Sequence, residues 1–313
     1  MISIILPTYH EADSIGETLT AIFAAAHNVS VAVEVLLIDS SPDEATCEAA
    51  KAVPSSAHCP LRILKLPGKT GAGKARNRGV REARYPFIAT VDAAVLVEET
   101  WLKVLWDAQQ SSGADLVWGN TVHAPHNAFE RSYLRSFHRP AFSRRFMNNL
   151  LIRKSVYLEL GGLNEQVHSG EDLELFAKLN RSAYREVYVE AISHYSGYPS
   201  SVAAILRKWI RFTADNVQIG QAKAKFIFVS VELLSLAAIA ALSVMNGFWG
   251  IVALLGWLSL RFIAQVLAAH RPFETWIEVP MTLGLILVFD AARTLGLIKG
   301  SLRQLSRKER HDA

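Results

Sequence analysis

The chain has 313 residues, a formal net charge of +4, and hydrophobic residues at 50% of its positions. Its mean hydropathy of +0.18 is high for a wholly soluble protein and low for a polytopic carrier, so the value indicates an average over two unlike regions. Basic clusters occur without interleaved aromatic residues, which disfavours a nucleic-acid partner, and the two cysteines, Cys47 and Cys59, lack metal-ligand spacing.

Short apolar runs alternate with helical patterns along the first third of the chain. Strands are predicted at residues 2–6, 33–38, 61–64 and 87–91, and helices around residues 15–23 and at residues 72–84. This alternation is typical of βαβ units around a mostly parallel sheet whose strands are buried on both faces. The sequence therefore predicts an α/β fold of the doubly wound type.

Polar residues directly follow three of the predicted strands. Pro7, Tyr9 and Glu11 follow the first strand, Asp39 follows the second, and Asp92 follows the fourth. In doubly wound sheets, ligands bind beyond the carboxyl ends of the strands, where such residues meet. Each residue alone is also explained by helix capping or by the end of a strand. Their occurrence after three strands favours a ligand site.

Five short motifs occur in an order that resembles family 2 glycosyltransferases. They are Pro7-Thr8-Tyr9 with Glu11, Ile38-Asp39-Ser40-Ser41, the glycine-rich run 71–79, Thr90-Val91-Asp92, and Gly170-Glu171-Asp172. The resemblance covers roughly residues 1–200. It implies the glycosyltransferase A fold, a Rossmann-like domain that binds a nucleotide-sugar, and it implies transfer of that sugar to an acceptor.

The resemblance assigns a group of residues to the nucleotide-sugar. The matching positions are Pro7, Tyr9, Glu11, Asp39, Arg76 and Asn77. Asp39 matches a carboxylate that accepts a hydrogen bond from the base, for example from uracil N3–H. Arg76 and Asn77 lie near the start of a predicted helix, where we expect them to reach nucleotide or sugar oxygens. A solvated helix face is the alternative explanation for the polar residues of this helix.

Asp92 matches the first acid of the family's metal-binding Asp-x-Asp motif, but Ala94 stands at the position of the second acid. The resemblance implies a divalent cation, Mg²⁺ or Mn²⁺, that bridges the diphosphate and stabilises the departing nucleoside diphosphate. His194 matches a downstream histidine that can complete the metal shell, although a lone histidine is more often structural. We expect a metal site at Asp92 and His194, and the missing acid leaves metal dependence open.

Asp172 matches the catalytic base of inverting family members, and Glu171 lies beside it. An inverting transfer needs one base to take the proton from the acceptor hydroxyl as that hydroxyl attacks the anomeric carbon. Two adjacent acids at a predicted helix start are also explained by helix capping. The ordered upstream motifs favour catalysis.

The last third of the chain is more apolar. Residues 201–225 have the pattern of an amphipathic helix at a membrane interface, and a packed helix of a soluble core is the alternative. Residues 226–245 and 248–269 are predicted to span a membrane as a hairpin. Residues 277–298 are a weaker candidate because four residues interrupt the apolar run: Glu278, Pro280, Asp290 and Arg293.

Basic residues flank the apolar region on both sides, which predicts by the positive-inside rule that both flanks are cytoplasmic. The predicted organisation is a catalytic domain (1–200), an interfacial linker (201–225), a membrane region of two or three helices (226–298), and a basic tail (299–313). We expect a multi-pass protein of the inner (plasma) membrane whose catalytic domain lies in the cytoplasm.

The predicted function is a membrane-anchored inverting glycosyltransferase that moves a sugar from a nucleotide-sugar to a lipid-linked or membrane-proximal acceptor. A polyprenyl-phosphate glycosyl transferase is the alternative among enzymes. A non-catalytic nucleotide-binding membrane scaffold is the alternative outside them, and a transporter would need more spans. We expect the acceptor edge in a loop at residues 119–149, whose basic residues are His123, His126, Arg131, Arg135, His138, Arg139, Arg144 and Arg145.

Overall fold

The computed structural model describes residues 1–93, 95–137, 145–195 and 197–311, with side chains as far as residue 306. The chain divides into two compact units by its internal contacts. The sheet unit comprises Met1–Ala124 and Ser143–Gly197, and the helical unit comprises Pro125–Phe142 and Tyr198–Ala313. Every residue predicted to bind the nucleotide-sugar or the metal, or to catalyse the transfer, therefore lies in the sheet unit.

In the described part of the sheet unit, eight strands form one mixed sheet in the order β3-β2-β1-β4-β7-β6-β8-β5. The strands are β1 (Ile2–Thr8), β2 (Val33–Asp39), β3 (Leu61–Lys65), β4 (Phe87–Thr90), β5 (Val95–Val97), β6 (Leu116–His123), β7 (Leu150–Arg153) and β8 (Glu186–Tyr195). Strands β3, β2, β1 and β4 are parallel, as are β6 and β8, whereas β7 and β5 run antiparallel to their neighbours. The mostly parallel sheet confirms the predicted α/β fold.

Helices connect the strands and cover both faces of the sheet. They are α1 (Ile15–His27), α2 (Ala45–Lys51), α3 (Ala72–Glu82) and α4 (Trp101–Ser112), then, after α5 (Ala128–Phe137) of the helical unit, α6 (Lys154–Glu159) and α7 (Leu173–Leu179). Alternate residues of β1 enter the two cores, so that Ile4 packs on one face and Ile5 on the other. Helix α3 lies close against the second face, since a Cβ at Gly79 would come within 2.7 Å of Ile5. This packing holds α3 alongside β1.

The described residues of the helical unit form α5 and four later helices. These are α8 (Val202–Gln218), α9 (Lys223–Met245), α10 (Gly247–Ala269) and α11 (Glu278–His311). Helices α9 and α10 form a hairpin, in which the Asn246 side chain caps α10 by accepting a hydrogen bond from the Trp249 N–H at 3.3 Å. Helix α8 lies close along α11, where a Cβ at Gly296 would be 2.5 Å from Thr213. Small residues therefore set the spacing between these two helices.

A buried ion pair fastens α5 to the start of α11. Arg135 Nη2 donates to Glu278 Oε2 at 3.0 Å, and the two side chains are 1% and 0% exposed. Arg135 Nε and Nη1 donate to the Arg271 carbonyl at 3.1 Å and to the Thr282 hydroxyl at 3.4 Å. Each guanidinium nitrogen thus has an acceptor, which is what a buried charge requires.

Three helices among the described residues are long and apolar enough to cross a membrane: Lys223–Met245, Gly247–Ala269 and Glu278–Ser306. The charges that weakened the third candidate are paired in the structure. Asp290 accepts hydrogen bonds from Arg261 at 2.7 Å and from Arg293 at 2.6 Å, and Glu278 is paired as described above. By length and composition α11 therefore qualifies alongside α9 and α10.

The prediction of a loop at residues 119–149 is wrong for most of the described residues of this segment. Residues up to His123 continue β6, and Ala128–Phe137 form α5. The basic residues of this segment favoured a loop, but Tyr133 and Phe137 have helical spacing. They are one turn apart and pack in the same cluster. Arg135 is itself 1% exposed, so the basic residues of α5 do not mark an exposed face of the helix.

The basic residues of this segment have separate positions. Arg131 and Arg135 lie on α5, whereas Arg145 belongs to the sheet unit and pairs with Glu186 at 2.6 Å. His138, Arg139 and Arg144 lie outside the described residues. The described members of the set are therefore divided between the two units.

The expected interfacial helix and basic tail are both continuous with the helical unit. Trp209 of α8 packs against Phe137 and Phe289, with ring centroids 5.1 and 5.0 Å apart, and the position of α8 at a membrane interface stays a prediction. The segment expected as a separate tail continues α11 as far as His311. Its Leu, Arg, Gln and Lys residues are good helix formers, and α11 continues through Gly300.

Candidate active site

A cavity of about 190 Å³ lies at the carboxyl ends of β1 and β4, beside the start of α3. This is the edge of the sheet where doubly wound folds bind ligands. Thr8, Ser40, Thr70 and three alanines contribute to its wall. The predicted site residues in the wall are Pro7, Tyr9, Glu11, Arg76 and Asp92. Half of the predicted set is therefore brought together in one cavity.

The buried guanidinium of Arg76 joins this cavity to the predicted catalytic acids. It forms ion pairs with Asp92 and, at 3.3 Å, with Glu171. Burial opposes its charge, but the carboxylates of Asp92 and Glu171 prevail and raise the pKa of Arg76. Arg76 Nε has no hydrogen-bond partner among the described residues, which is unusual for a buried donor.

Asp172 stands at the N-cap of α7, but its side chain makes no capping hydrogen bond. Burial, and then the adjacent charge of Glu171, raises the pKa of Asp172 to about 6. A carboxyl group with such a pKa can be ionised at neutral pH and still accept a proton readily, as a general base must. The capping explanation for this residue therefore lacks the hydrogen bond that defines it.

Gly71 and Gly73 allow the segment with the catalytic acids to lie against the start of α3. A Cβ at Gly73 would lie 3.1 Å from the Glu171 side chain, and a Cβ at Gly71 would lie 3.2 Å from His168. A larger residue at either position would crowd these contacts. The glycines of the predicted nucleotide motif therefore help to place Glu171 within reach of Arg76.

Asn77 holds the turn that precedes the catalytic acids and does not line the cavity. Its Nδ2 donates to the Leu163 carbonyl at 2.8 Å and to Glu165 at 2.9 Å. Its Oδ1 accepts hydrogen bonds from the Tyr157 hydroxyl at 2.6 Å and from the Leu163 N–H at 2.9 Å. These four bonds use the full capacity of the amide, so the structure gives Asn77 a positioning role.

Asp39 is fully buried and surrounded by donors of the protein itself. Lys65 Nζ lies 2.7 Å from its Oδ2, and the hydroxyls of Thr8 and Ser41 donate to its Oδ1 at 3.0 and 2.7 Å. Burial disfavours the charged carboxylate, but these hydrogen bonds, led by that of Lys65, lower the pKa of Asp39. Asp39 lies behind the wall that Thr8 and Ser40 form, and its contact with a base stays a prediction.

Asp92 is the residue of the predicted metal site that lines the cavity, and its carboxylate is engaged by Arg76. His194 pairs instead with Glu98 at 3.1 Å. No group of three His, Cys, Asp or Glu side chains in the described ranges is arranged to hold a metal ion, and Ala94 lies outside those ranges. Asp92 is the oxygen donor that Mg²⁺ or Mn²⁺ prefers, so a metal here would depend on substrate oxygens and water for most of its ligands.

Two residues at the site were not predicted from the sequence. Thr70 lines the cavity, and its buried hydroxyl has no partner within the described part of the chain. Burial, followed by the charges of Asp92 and Glu11, raises the pKa of Tyr195 to about 12. The available signals were weak: Thr70 directly precedes Gly71, and Tyr195 directly follows His194.

Two family models match the chain. The family described as "Glycosyl transferase family 2" matches residues 3–163, and the family described as "Glycosyl transferase family group 2" matches residues 120–289. Each match covers just over half of the chain. The first match contains the whole cavity wall, and the second contains both Glu171 and Asp172.

Similar proteins carry glycosyltransferase names. The chain is 26% identical over 227 residues to glycosyltransferase AglE of Haloferax volcanii. The alignment covers 70% of this chain and 73% of AglE. It is 24% identical over 201 residues to the pre-mycofactocin glycosyltransferase of Mycobacterium tuberculosis. That alignment covers 60% of this chain and 40% of the relative. The chain thus spans less than half the length of this second relative.

Solved structures share the fold. The mannosyltransferase PcManGT from Pyrobaculum calidifontis, in complex with GDP-Man and Mn²⁺, covers 96% of this chain and 86% of its own, with a TM-score of 0.56 and 18% identity. The S. aureus TarS 1-349 structure covers 100% of this chain and 92% of its own, with a TM-score of 0.50 and 17% identity. At these identities the likeness shows the glycosyltransferase A fold alone. The family matches, together with this shared fold, show that the chain is a glycosyltransferase and belongs to glycosyl transferase family 2.

Proposed function

We propose that this chain is a membrane-anchored inverting glycosyltransferase that moves a sugar from a nucleotide-sugar donor to a lipid-linked or membrane-proximal acceptor. One observation carries the proposal: Arg76 links the cavity wall at Asp92 to Glu171, which adjoins Asp172. An inverting transfer needs such a connection, because the leaving diphosphate and the attacking hydroxyl lie on opposite sides of one anomeric carbon and must be held together.

Asp172 is the proposed general base. The acceptor hydroxyl oxygen attacks the anomeric carbon, the bond from that carbon to the donor phosphate oxygen breaks, and the hydroxyl proton passes to the Asp172 carboxylate. With a pKa of about 6, Asp172 is mostly ionised at neutral pH. Glu171, held by Arg76, keeps a negative charge beside Asp172 and so maintains its basicity.

The cavity is the proposed site of the donor diphosphate, with Pro7, Tyr9 and Glu11 on the side of β1. The relative solved with GDP-Man and Mn²⁺ supports a nucleotide-sugar and a divalent cation as ligands. Such a cation, Mg²⁺ or Mn²⁺, would be held by Asp92 and would supply positive charge opposite the departing diphosphate. Arg76 provides a positive charge from the chain itself.

Helices α9, α10 and α11 are the proposed membrane anchor. Lys223 and Lys225 precede the apolar region, and Lys299 and Arg303 follow it, which supports a cytoplasmic position for the flanks and for the sheet unit. If α11 lies in the membrane without crossing it, both flanks are cytoplasmic. If all three helices cross, the flanks lie on opposite sides. Reporter fusions before Lys223 and after Arg303 distinguish the two arrangements.

The test is a donor screen with the full chain in detergent. Nucleoside diphosphate release is measured from a panel of UDP- and GDP-sugars, with and without Mn²⁺ and membrane lipid extract. We expect lipid-stimulated release from one donor, loss of release in Asp172→Asn, and normal release in Glu174→Gln, which alters an exposed acid of the same helix. Silence across the panel while nucleotide still binds would overturn the proposal in favour of the scaffold alternative.

The acceptor alternatives are separated by the product of the same reaction. A polyprenyl-phosphate glycosyl transferase yields a labelled single sugar on a lipid phosphate, which is extracted into organic solvent and released by mild acid. Transfer to a lipid-linked oligosaccharide or to another membrane-proximal acceptor yields a larger labelled product. The size of the product therefore identifies the acceptor class once the donor is known.

A further inference from the structure

We propose that α8 and α11 form one surface that lies along the membrane and binds the anionic phosphates of lipid headgroups, so that α11 does not cross the bilayer. The proposal rests on the membrane anchor proposed above and assigns its lipid contacts. By length and composition α11 qualifies as a span. The charges of its neighbour α8 lead to the opposite conclusion.

Helix α8 lies beside α11 over most of the candidate span Glu278–Ser306. Towards the start of α11, Leu285 packs in one cluster with Ile205 of α8. Towards its end, Gln304 Nε2 donates to the Val217 carbonyl of α8 at 2.7 Å. The two helices therefore run in the same direction, and α8 must share the depth that this part of α11 has in a membrane.

Three cations of α8 are exposed and have no ion-pair partner among the described residues: Arg207, Lys208 and Arg211. They are three and four residues apart, which brings like charges together on the helix surface and is unfavourable in the absence of a nearby anion. The acid of the same helix, Asp215, is buried and pairs with Arg303 of α11 at 3.5 Å. Lipid phosphates provide the missing negative charge.

If α11 crossed the membrane, these cations would lie inside the hydrocarbon. Trp209 of α8 packs against Phe289, with ring centroids 5.0 Å apart. Thr213 lies 2.5 Å from the position of a Cβ at Gly296. Arg211 is halfway between these two contacts along α8, so it lies beside the middle of the candidate span. A charge at the centre of a bilayer is unfavourable unless it has a partner or faces a water-filled cavity.

Helix α11 has an apolar face that suits the boundary between headgroups and hydrocarbon. Its four residues recur at spacings of three and four and are 50–61% exposed: Leu295, Ile298, Leu302 and Leu305. A helix at a membrane surface buries such a face among acyl chains and keeps its cations at the phosphates. The leucines of α11 and the cations of α8 are both accommodated at this depth. Water suits the cations alone, and hydrocarbon suits the leucines alone.

The hairpin of α9 and α10 contacts α11 in the half nearest to its two ends. Leu297 packs in one cluster with Val229 of α9, and Asp290 accepts a hydrogen bond from Arg261 of α10 at 2.7 Å. Val244, near the far end of α9, is 89% exposed. These contacts suit a helix that lies at the base of the hairpin. The chain before α9 and the end of α11 then lie on the same side of the membrane.

The first test measures the depth of α11 in vesicles that contain phosphatidylglycerol. Nitroxide labels are attached to the full chain at one substituted cysteine at a time. The substitutions are at exposed positions of α11: Leu287→Cys, Leu295→Cys and Leu302→Cys. The native Cys47 and Cys59 are 1% and 2% exposed, and the unsubstituted chain measures any labelling of them. Collisions with oxygen and with a water-soluble nickel complex give the depth of each label.

We expect the three α11 labels to lie at one shallow depth. If α11 crossed the membrane, the labels at Leu287→Cys and Leu302→Cys would differ in depth by about 20 Å, because a helix rises 1.5 Å per residue. Labels at Leu234→Cys and Val244→Cys of α9, which are exposed, are the matched reference and should differ in depth. A steady change of depth along α11 overturns the inference and leaves the membrane anchor standing. If the nickel complex reaches every label of α9 and α11 freely, the anchor fails, and the inference fails with it.

The second test measures the contacts with phosphate. Spin-labelled phosphatidylglycerol and phosphatidylcholine compete for the surface of the full chain in vesicles. We expect wild type to prefer the anionic lipid about fivefold, as a cation near an anionic membrane surface does. The combined variant Arg207→Gln, Lys208→Gln and Arg211→Gln should lose most of this preference.

The matched control removes three exposed cations of the sheet unit: Lys51→Gln, Lys103→Gln and Arg181→Gln. It changes the net charge by the same amount and should keep the lipid preference of wild type. A preference that the α8 variant keeps in full overturns the assignment of these cations. An equal loss in both variants overturns it as well, because net charge would then explain the effect.

Discussion

Each of the two units buries an arginine, and the two side chains differ in how completely they are paired. Arg135 of the helical unit is 1% exposed and donates from each of its three nitrogens. Arg76 of the sheet unit is 3% exposed and pairs with two acids, yet its Nε has no partner among the described residues. Burial of a charge therefore does not by itself identify a site, whereas an incompletely paired charge beside a cavity does.

The acids near the two arginines differ in the same way. Glu278 accepts hydrogen bonds from Arg131 at 2.8 Å and from Arg135 at 3.0 Å. Asp172 makes no capping hydrogen bond, and burial raises its pKa to about 6. The stability that a buried acid provides depends on its ion-pair partners. An acid whose charged form is disfavoured by its surroundings is suited to proton transfer. If this distinction holds, substitutions near Arg76 and Asp172 should affect activity, and substitutions of Arg135 and Glu278 should affect stability.

The largest expected effect is on turnover. Asp172→Asn is expected to lower kcat/KM about 10²–10⁴-fold, because an amide cannot take the proton from the acceptor hydroxyl. The folded state raises the pKa of Asp172 from 3.8 to about 6, so the ionised side chain reduces stability above that pH. Asp172→Asn should therefore melt no lower than wild type at about pH 8. Thermal melting beside the activity assay tests both parts, and loss of activity together with a lower melting temperature would contradict the comparison.

Arg135 is expected to show the reverse behaviour. Arg135→Met removes one of the two arginines that pair with the buried Glu278, which should reduce the free energy of unfolding by about 3–5 kcal/mol. The double variant Arg135→Met with Glu278→Met removes both charges and should recover part of that loss. Denaturant unfolding in detergent measures the three proteins. A double variant that is less stable than the single one would show that the pair is not the source of the effect.

The pH dependence of turnover sharpens the assignment of the base. Because Asp172 must be ionised to accept a proton, kcat/KM should fall about tenfold per pH unit below pH 6 and level off above it. Glu171→Gln removes the neighbouring negative charge and should move this acidic limb, the fall in kcat/KM below pH 6, to lower pH. Glu174→Gln, which changes an exposed acid of the same helix, should leave the limb in place. A limb that does not respond to Glu171→Gln would assign the titration to another group.

The sequence predicted the sheet more fully than the helical unit, because the strands are encoded locally. The apolar runs of β1 to β4 and the helices between them are readable from neighbouring residues, and the structure contains them. Helix α5 could not be read in this way. Its buried face is formed by Tyr133 and Phe137, which pack against Trp209 and Phe289 far along the chain. The burial of these aromatic residues depends on tertiary contacts that no local pattern contains.

The motifs located the site but did not determine its bonds. Motif order brought Arg76, Asp92 and Asp172 to attention, and the structure connects the first two directly. Asn77 carries the expected residue type, but its amide is saturated by the loop before the catalytic acids and by Tyr157 of α6. Thr70 has no recognisable pattern, since a single threonine before a glycine is common. Only its place in the cavity wall and its buried, unpartnered hydroxyl distinguish it among the described residues.

The smallest expected effect concerns a third arginine, which lies within the candidate spans. Arg261 of α10 donates to Glu232 of α9 at 2.9 Å and to Asp290 of α11 at 2.7 Å, and so connects three helices. Polar contacts between membrane helices contribute modestly, because the helices find other partners when separated. Arg261→Met is therefore expected to lower the free energy of unfolding in detergent by about 1 kcal/mol.

Nucleotide binding determines whether Arg261, whose side chain is 18% exposed, resembles Arg135 or Arg76. Its acid partners place it with Arg135, so UDP and GDP affinity should be unchanged in Arg261→Met. Arg261→Lys keeps the charge but not the forked geometry that reaches two acids, and it should recover only part of the stability. A loss of nucleotide affinity without a change in melting would place Arg261 with Arg76, and pairing would then no longer separate structural arginines from functional ones.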